Sequence, residues 1–121
     1  MTYVDFFIVP LPQGNEKAYE KQAAVWLEVM KEYGLLRYCE ALSDDVPHGE
    51  VTDFYRAVAA EKNEKVVCAF AVWPDKSTRD RAWDEAMKDP RVAGQDAHKH
   101  VFDGKRMVYG GFAPLLEYQL A

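Results

Sequence analysis

The segment Lys65–Trp73, KVVCAFAVW, constrains the fold more than any other stretch of the chain. Its β-branched and aromatic content and the stop at Pro74 mark a strand. Side chains alternate along a strand, so Val66, Cys68, Phe70 and Val72 point one way and Val67, Ala69, Ala71 and Trp73 the other. Both sets are apolar. Tyr3–Val9, YVDFFIV, which stops at Pro10, behaves alike: Val4, Phe6 and Ile8 lie opposite Asp5, Phe7 and Val9. A sheet of such strands has two apolar faces and needs two covers.

Helices supply the first cover. From Glu16 to Tyr33, Tyr19, Ala23, Trp26, Leu27, Met30 and Tyr33 recur at the spacing of one helical face, with Asn15 placed to cap the start and Gly34 to end it. A second long helix is predicted over Thr78–Lys88, opened by Ser77 and Asp80 at capping-box spacing and closed by Asp89–Pro90. Leu35–Leu42 reads as a strand, Asp53–Ala60 as a short helix capped by Thr52, Arg91–Asp103 as an irregular polar segment, and Lys105–Phe112 as the last strand. The order is βαββαβ, that of an α+β ferredoxin-like domain with both main helices on one face of an antiparallel sheet. At 121 residues one domain, 1–121, is expected, and little chain remains to cover the second face. A second copy of the chain is the expected cover, making a homodimer; the alternative is a monomer in which the loop Ala41–Val51, the short helix and the tail fold over it.

Composition narrows the function classes. A formal net charge of −5, with basic residues interleaved among acids, argues against nucleic-acid binding. The apolar runs are too short to cross a bilayer, and MTYVDFF lacks the layout of a signal peptide, so a cytoplasmic protein that does not enter membranes is expected. Cys39 and Cys68 sit inside apolar runs and are expected as buried, reduced thiols; a redox pair is the sharper alternative if their strands are neighbours.

Four stretches, YVDFFIVP, DDVPHGEVTDFYRAV, VVCAFAVWP and FDGKRMVYGGFAPL, together resemble the YbaA-like family of small bacterial proteins. The resemblance spans almost the whole chain. It implies the fold of the dimeric α/β barrels, in which two ferredoxin-like sheets face each other around a cavity, and it implies no mechanism. The wider superfamily includes cofactor-free monooxygenases, haem enzymes, lactone isomerases and ligand-sensing domains, so fold alone does not choose among them.

Candidate site residues follow from misplaced polarity. Asp5 shares a strand face with Phe7 and Val9, and a buried carboxylate needs a partner. Arg106, placed on the last strand with Val108 and Gly110, is the mirror case, and the two are expected to face each other and pair, for register or to hold an anionic ligand. Gly110 and Gly111 permit a bulge or a close approach. Asp44, Asp45 and His48 form a polar loop whose carboxylates cap backbone amides or meet a ligand; Tyr38, Trp73 and Tyr109 are aromatic candidates. His98 and His100 have His-x-His spacing but no evident third ligand, so neither metal nor cofactor is expected. The readings that remain are a small, partly apolar ligand in an inner cavity, a cofactor-independent monooxygenase or isomerase acting on a small aromatic substrate, and a non-catalytic interaction or stress protein.

Overall fold

The computed structural model describes residues 1–96 and 100–120. Its elements run β1 Tyr3–Pro12, α1 Glu16–Lys31, β2 Arg37–Leu42, α2 Phe54–Ala57, β3 Glu64–Trp73, α3 Lys76–Lys88, α4 Pro90–Asp96, a 3₁₀ turn Gly104–Arg106, and β4 Val108–Phe112. The four strands form one antiparallel sheet in the order β2-β3-β1-β4, the α+β ferredoxin-like arrangement that the sequence predicts. No helix among the described residues is long and apolar enough to cross a membrane.

The helices choose between the two apolar faces. Val67, Ala69, Ala71 and Trp73 are buried together with Phe7 and Val9. Over them pack Val29 and Met30 of α1, Ala82 and Ala86 of α3 and Val92 of α4. On the opposite face, α2 packs against β1 and β3 at one end, where Val58, Pro10 and Val66 are buried. The rest of that face stays open: Phe6 is 43% exposed and Phe112 56%, their rings meeting edge to face at 5.4 Å.

Pro10 does not stop β1, which runs on to Pro12. Pro10 lies opposite Val66, whose own backbone amide and carbonyl turn away to bond Ser43. The proline nitrogen therefore faces the other side, beyond Ile8–Val108 where the ladder to β4 ends, and no hydrogen bond is lost. Other local expectations shift in the same way. Asn15 makes no side-chain cap; its Nδ2 donates instead to the Val101 carbonyl. Asp53 rather than Thr52 caps α2, and Asp75 rather than Ser77 caps α3 by accepting from the Thr78 amide at 2.8 Å. Asp89–Pro90 both closes α3 and opens α4, since a proline in the first helical position gives up no intrahelical bond; the segment read as irregular thus holds a helix. Gly34, at φ +102, ends α1 as expected.

Cys39 and Cys68 are unpaired as expected, but their expected burial is corrected. Both are free and exposed, because both lie on the open face, where Cys39 is opposite Phe70 and Cys68 opposite Ala41.

Candidate functional site

Asp5 and Arg106 do not pair. Asp5 lies on the helix side of β1 and is 1% exposed. It accepts from the indole Nε1 atoms of Trp73 and Trp83, each at 3.0 Å, and from Arg79 Nε at 2.9 Å. Arg106 is carried off the last strand by the 3₁₀ turn, which Asp103 caps. Its guanidinium grips Glu64 with two bonds, at 2.6 and 2.7 Å, and also reaches Asp103 and the Ala59 carbonyl. The two charged residues belong to separate ion-pair systems at different parts of the sheet.

Gly111 explains one of the paired glycines. It lies opposite Asp5, and a Cβ there would come within 2.6 Å of the Tyr3 hydroxyl and 2.7 Å of Arg79 Nη2. The bare backbone lets Arg79 pass over the Tyr3 ring to its carboxylate. Gly110 has only ordinary contact around it.

Of the other sequence candidates, Trp73 is fully buried as a donor to Asp5, Tyr109 is 66% exposed on β4, and Asp45 is exposed in its loop. His98 lies outside the described residues. Arg106 and His100 line an open pocket of about 700 Å³ beside Glu64 and Asp103, whereas Tyr38 is brought into a cavity together with residues that the sequence reading passed over.

On the helix side of β2, Tyr38, Glu40 and Leu42 alternate inward, facing Ala71, Ala69 and Val67. Helix α1 crosses above them, and a space remains between. One cleft of about 520 Å³ is lined by Leu11, Ala24, Leu27 and Leu42; a second of about 230 Å³ lies deeper, walled by Phe7, Trp26, Trp83 and Phe102. The two share Tyr19, Ala23, Tyr38 and Glu40, so the carboxylate stands at their junction. Tyr19 donates its hydroxyl to Glu40 Oε1 at 2.7 Å, and Tyr38 donates to Oε2.

Burial pushes the Glu40 carboxyl above the ordinary range, and the two tyrosine hydroxyls hold part of that rise back. The tyrosines are pushed strongly upward, first by burial and then by the neighbouring carboxylate, so they remain O–H donors at any physiological pH. The result is an acid–base group in a largely apolar chamber, held on both oxygens by hydroxyl donors. A glutamate alternating with Tyr38 and Leu42 on an inward strand face was the signal in the sequence.

Glu40 and Glu64 set opposite pH dependences. Arg106 holds the Glu64 carboxyl below its ordinary 4.5, so its stabilisation is present above that pH and is lost as pH falls through the lowered native value. Above pH 4.5 an unfolded Glu40 gives up a proton that the native one keeps, so its contribution drains as pH rises through the raised native value. Urea denaturation across the pH range will therefore show Glu64→Gln flattening the profile below pH 4.5 and Glu40→Gln flattening it above pH 4.5. Exchange of those two outcomes would reverse the assignments.

An antiparallel sheet in this order, with its long helices gathered on one face and a cavity beneath α1, defines a ferredoxin-like α+β protein. The chain belongs to the DUF1428 family, proteins of unknown function, which it matches over residues 2–104. It is 44% identical to the uncharacterized protein YbaA of Escherichia coli K12 over 117 residues, covering 97% of this chain and 99% of that one. Among solved structures it is similar to a dimeric ferredoxin-like protein from an uncultured marine organism, with a TM-score of 0.60 at 13% identity over 97% of this chain and 98% of the other. It is also similar to a variant of SnoaB, a cofactor-independent oxygenase of Streptomyces nogalater, with a TM-score of 0.53 at 12% identity over 96% and 95% of the two chains. Identities this low establish a shared fold.

Proposed function

We propose that the protein is a cytoplasmic homodimer of one-domain chains, each holding a small, mostly apolar molecule with an acidic proton between α1 and the sheet. The observation that carries the ligand site is Glu40, fixed by Tyr19 and Tyr38 where the two cavities meet. The apolar body of the ligand fills the deeper chamber, and its O–H or activated C–H faces the carboxylate, which takes the proton. Glu40 and the chamber replace Asp5, Arg106 and Asp45 as the proposed centre, with Tyr38 retained. The dimer is supported by the open sheet face and by the dimeric ferredoxin-like proteins that share the fold.

Titration calorimetry with 2-naphthol tests the site. Saturable binding is expected at one molecule per chain, abolished by Ala23→Phe, which fills the wall common to both cavities, and weakened by Glu40→Gln. Binding that Ala23→Phe leaves intact would put the ligand elsewhere and end this reading. The poised base favours a second reading, in which the anion formed at Glu40 is oxidised by dioxygen without an added cofactor, the activity named for SnoaB. Oxygen uptake with a bound hydroxyarene, lost in Glu40→Gln, separates that enzyme from a protein that only binds.

A further inference from the structure

The chain beyond β4 finds nothing to bury it within one protomer. In residues 113–120, Leu115, Leu116, Tyr118 and Leu120 are 82–101% exposed. Among the described residues, the hydrogen bonds that tie this segment to the rest of the chain are those of the Thr2 hydroxyl, which donates to both Glu117 oxygens at 2.8 Å. The segment does not cover the open face of its own sheet, where Phe6 and Phe112 stay exposed. Single exposed apolar residues are ordinary. Four within one short segment, beside a bare apolar sheet face, mark a contact surface.

We infer that residues 113–120 form an arm that each copy of the chain lays against α2 of the other. This rests on the homodimer proposed above and names the segment that grips it. The open face has two unlike ends. At one, α2 stands over Pro10 of β1 and Val66 of β3. At the other, Val72, Val4 and Phe112 form one row across neighbouring strands, and the arm leaves from Phe112. A two-fold axis along the strands would set α2 on α2 and hold the sheets apart. An axis across the strands brings the bare rows together and carries each α2 past the bare end of the other sheet. The arm is already turned that way: Glu117 meets Thr2, just ahead of β1, so the segment bends in beneath the middle strands instead of running on past the sheet edge. Apolar surface waits on the other side, since the partner's Val51, in the loop before α2, and the partner's Phe54, in its first turn, are both exposed. Packed sheets lie about 10 Å apart, and eight extended residues reach roughly 26–29 Å, so one arm spans the gap.

Sedimentation equilibrium on a chain ended after Pro114 tests the arm. Its dimer should dissociate about a hundredfold more readily than that of the wild type, the effect of withdrawing two leucines from a buried contact. Leu115→Ser combined with Leu116→Ser keeps the full length and should give the same shift. Val51→Ser combined with Phe54→Ser should give it from the receiving side. A shortened chain that dimerises as tightly as the wild type overturns the arm and leaves the dimer standing; a wild type that is monomeric at micromolar concentration overturns both. Mixed dimers of one carbon-13-labelled and one unlabelled copy show whether the arm crosses. Cross-relaxation is expected between the labelled methyls of Leu115 and Leu116 and the unlabelled ring of Phe54. Methyls that relax only against their own chain would show an arm held at home, and the inference would fall.

Discussion

Asp5→Asn will remove about 3–5 kcal/mol of folding stability, a large share of the roughly 5–15 kcal/mol that a domain of this size has. The carboxylate is fully buried and serves three donors, the indoles of Trp73 and Trp83 and the guanidinium of Arg79. An amide can accept on one side only, and its NH₂ then opposes a donor that it cannot satisfy. Arg79→Met should cost a comparable amount, since it leaves the buried carboxylate with two indole donors and no counter-charge. A double-mutant cycle should show coupling between Asp5 and Arg79 and, separately, between Glu64 and Arg106. Asp5 with Arg106 should be additive to within about 0.5 kcal/mol. Coupling in that last pair would contradict the two separate ion-pair systems.

Adjacent substitutions in β3 will have opposite consequences. Ala69→Asp places a carboxylate under α1 and α3 at a residue 1% exposed, directly across from Glu40, and should leave no folded protein. Phe70→Asp faces the open side, beside Phe6 on one strand and Cys39 on the other. It should fold and sediment as a monomer, with the wild type expected to sediment as a dimer. The cysteines provide a second measure: a partner over this face shields Cys39 and Cys68 from a thiol reagent, and Phe70→Asp should expose both. A wild type that is monomeric at micromolar concentration, or whose thiols react as fast as those of the variant, defeats the dimer.

The order of the strands and of the two long helices was legible because the apolar runs are long and set off by Gly34 and Pro74, although Pro10 falls inside β1 and α4 was not foreseen. Which face met the helices was not, since Val66–Trp73 is apolar on both sides and only the small residues Ala69 and Ala71, opposite Ala82 and Ala86, hint at close packing. The ion pairs were misread for a definite reason. A single 3₁₀ turn, capped by Asp103, rotates Arg106 out of strand register, and alternation cannot be extended through a turn. Arg79, in the polar sequence of α3, gave no sign of reaching inward, because its path depends on the missing side chain of Gly111 in a strand more than thirty residues later. Glu40 was visible as one polar residue on an apolar face, between Tyr38 and Leu42.

The strand order also sets a timetable for folding. β1 lies inside the sheet, yet both its neighbours come much later in the chain, β3 beginning at Glu64 and β4 at Val108. During synthesis at roughly 5–20 residues per second, YVDFFIVPLP waits several seconds for its first pairing partner and longer for its second. Closing those loops costs entropy before any ladder bond repays it, so sheet assembly is slow compared with formation of α1. In that interval a strongly apolar strand is unpaired on both edges, and it is there that a nascent chain is open to a chaperone or to another unfinished copy of itself.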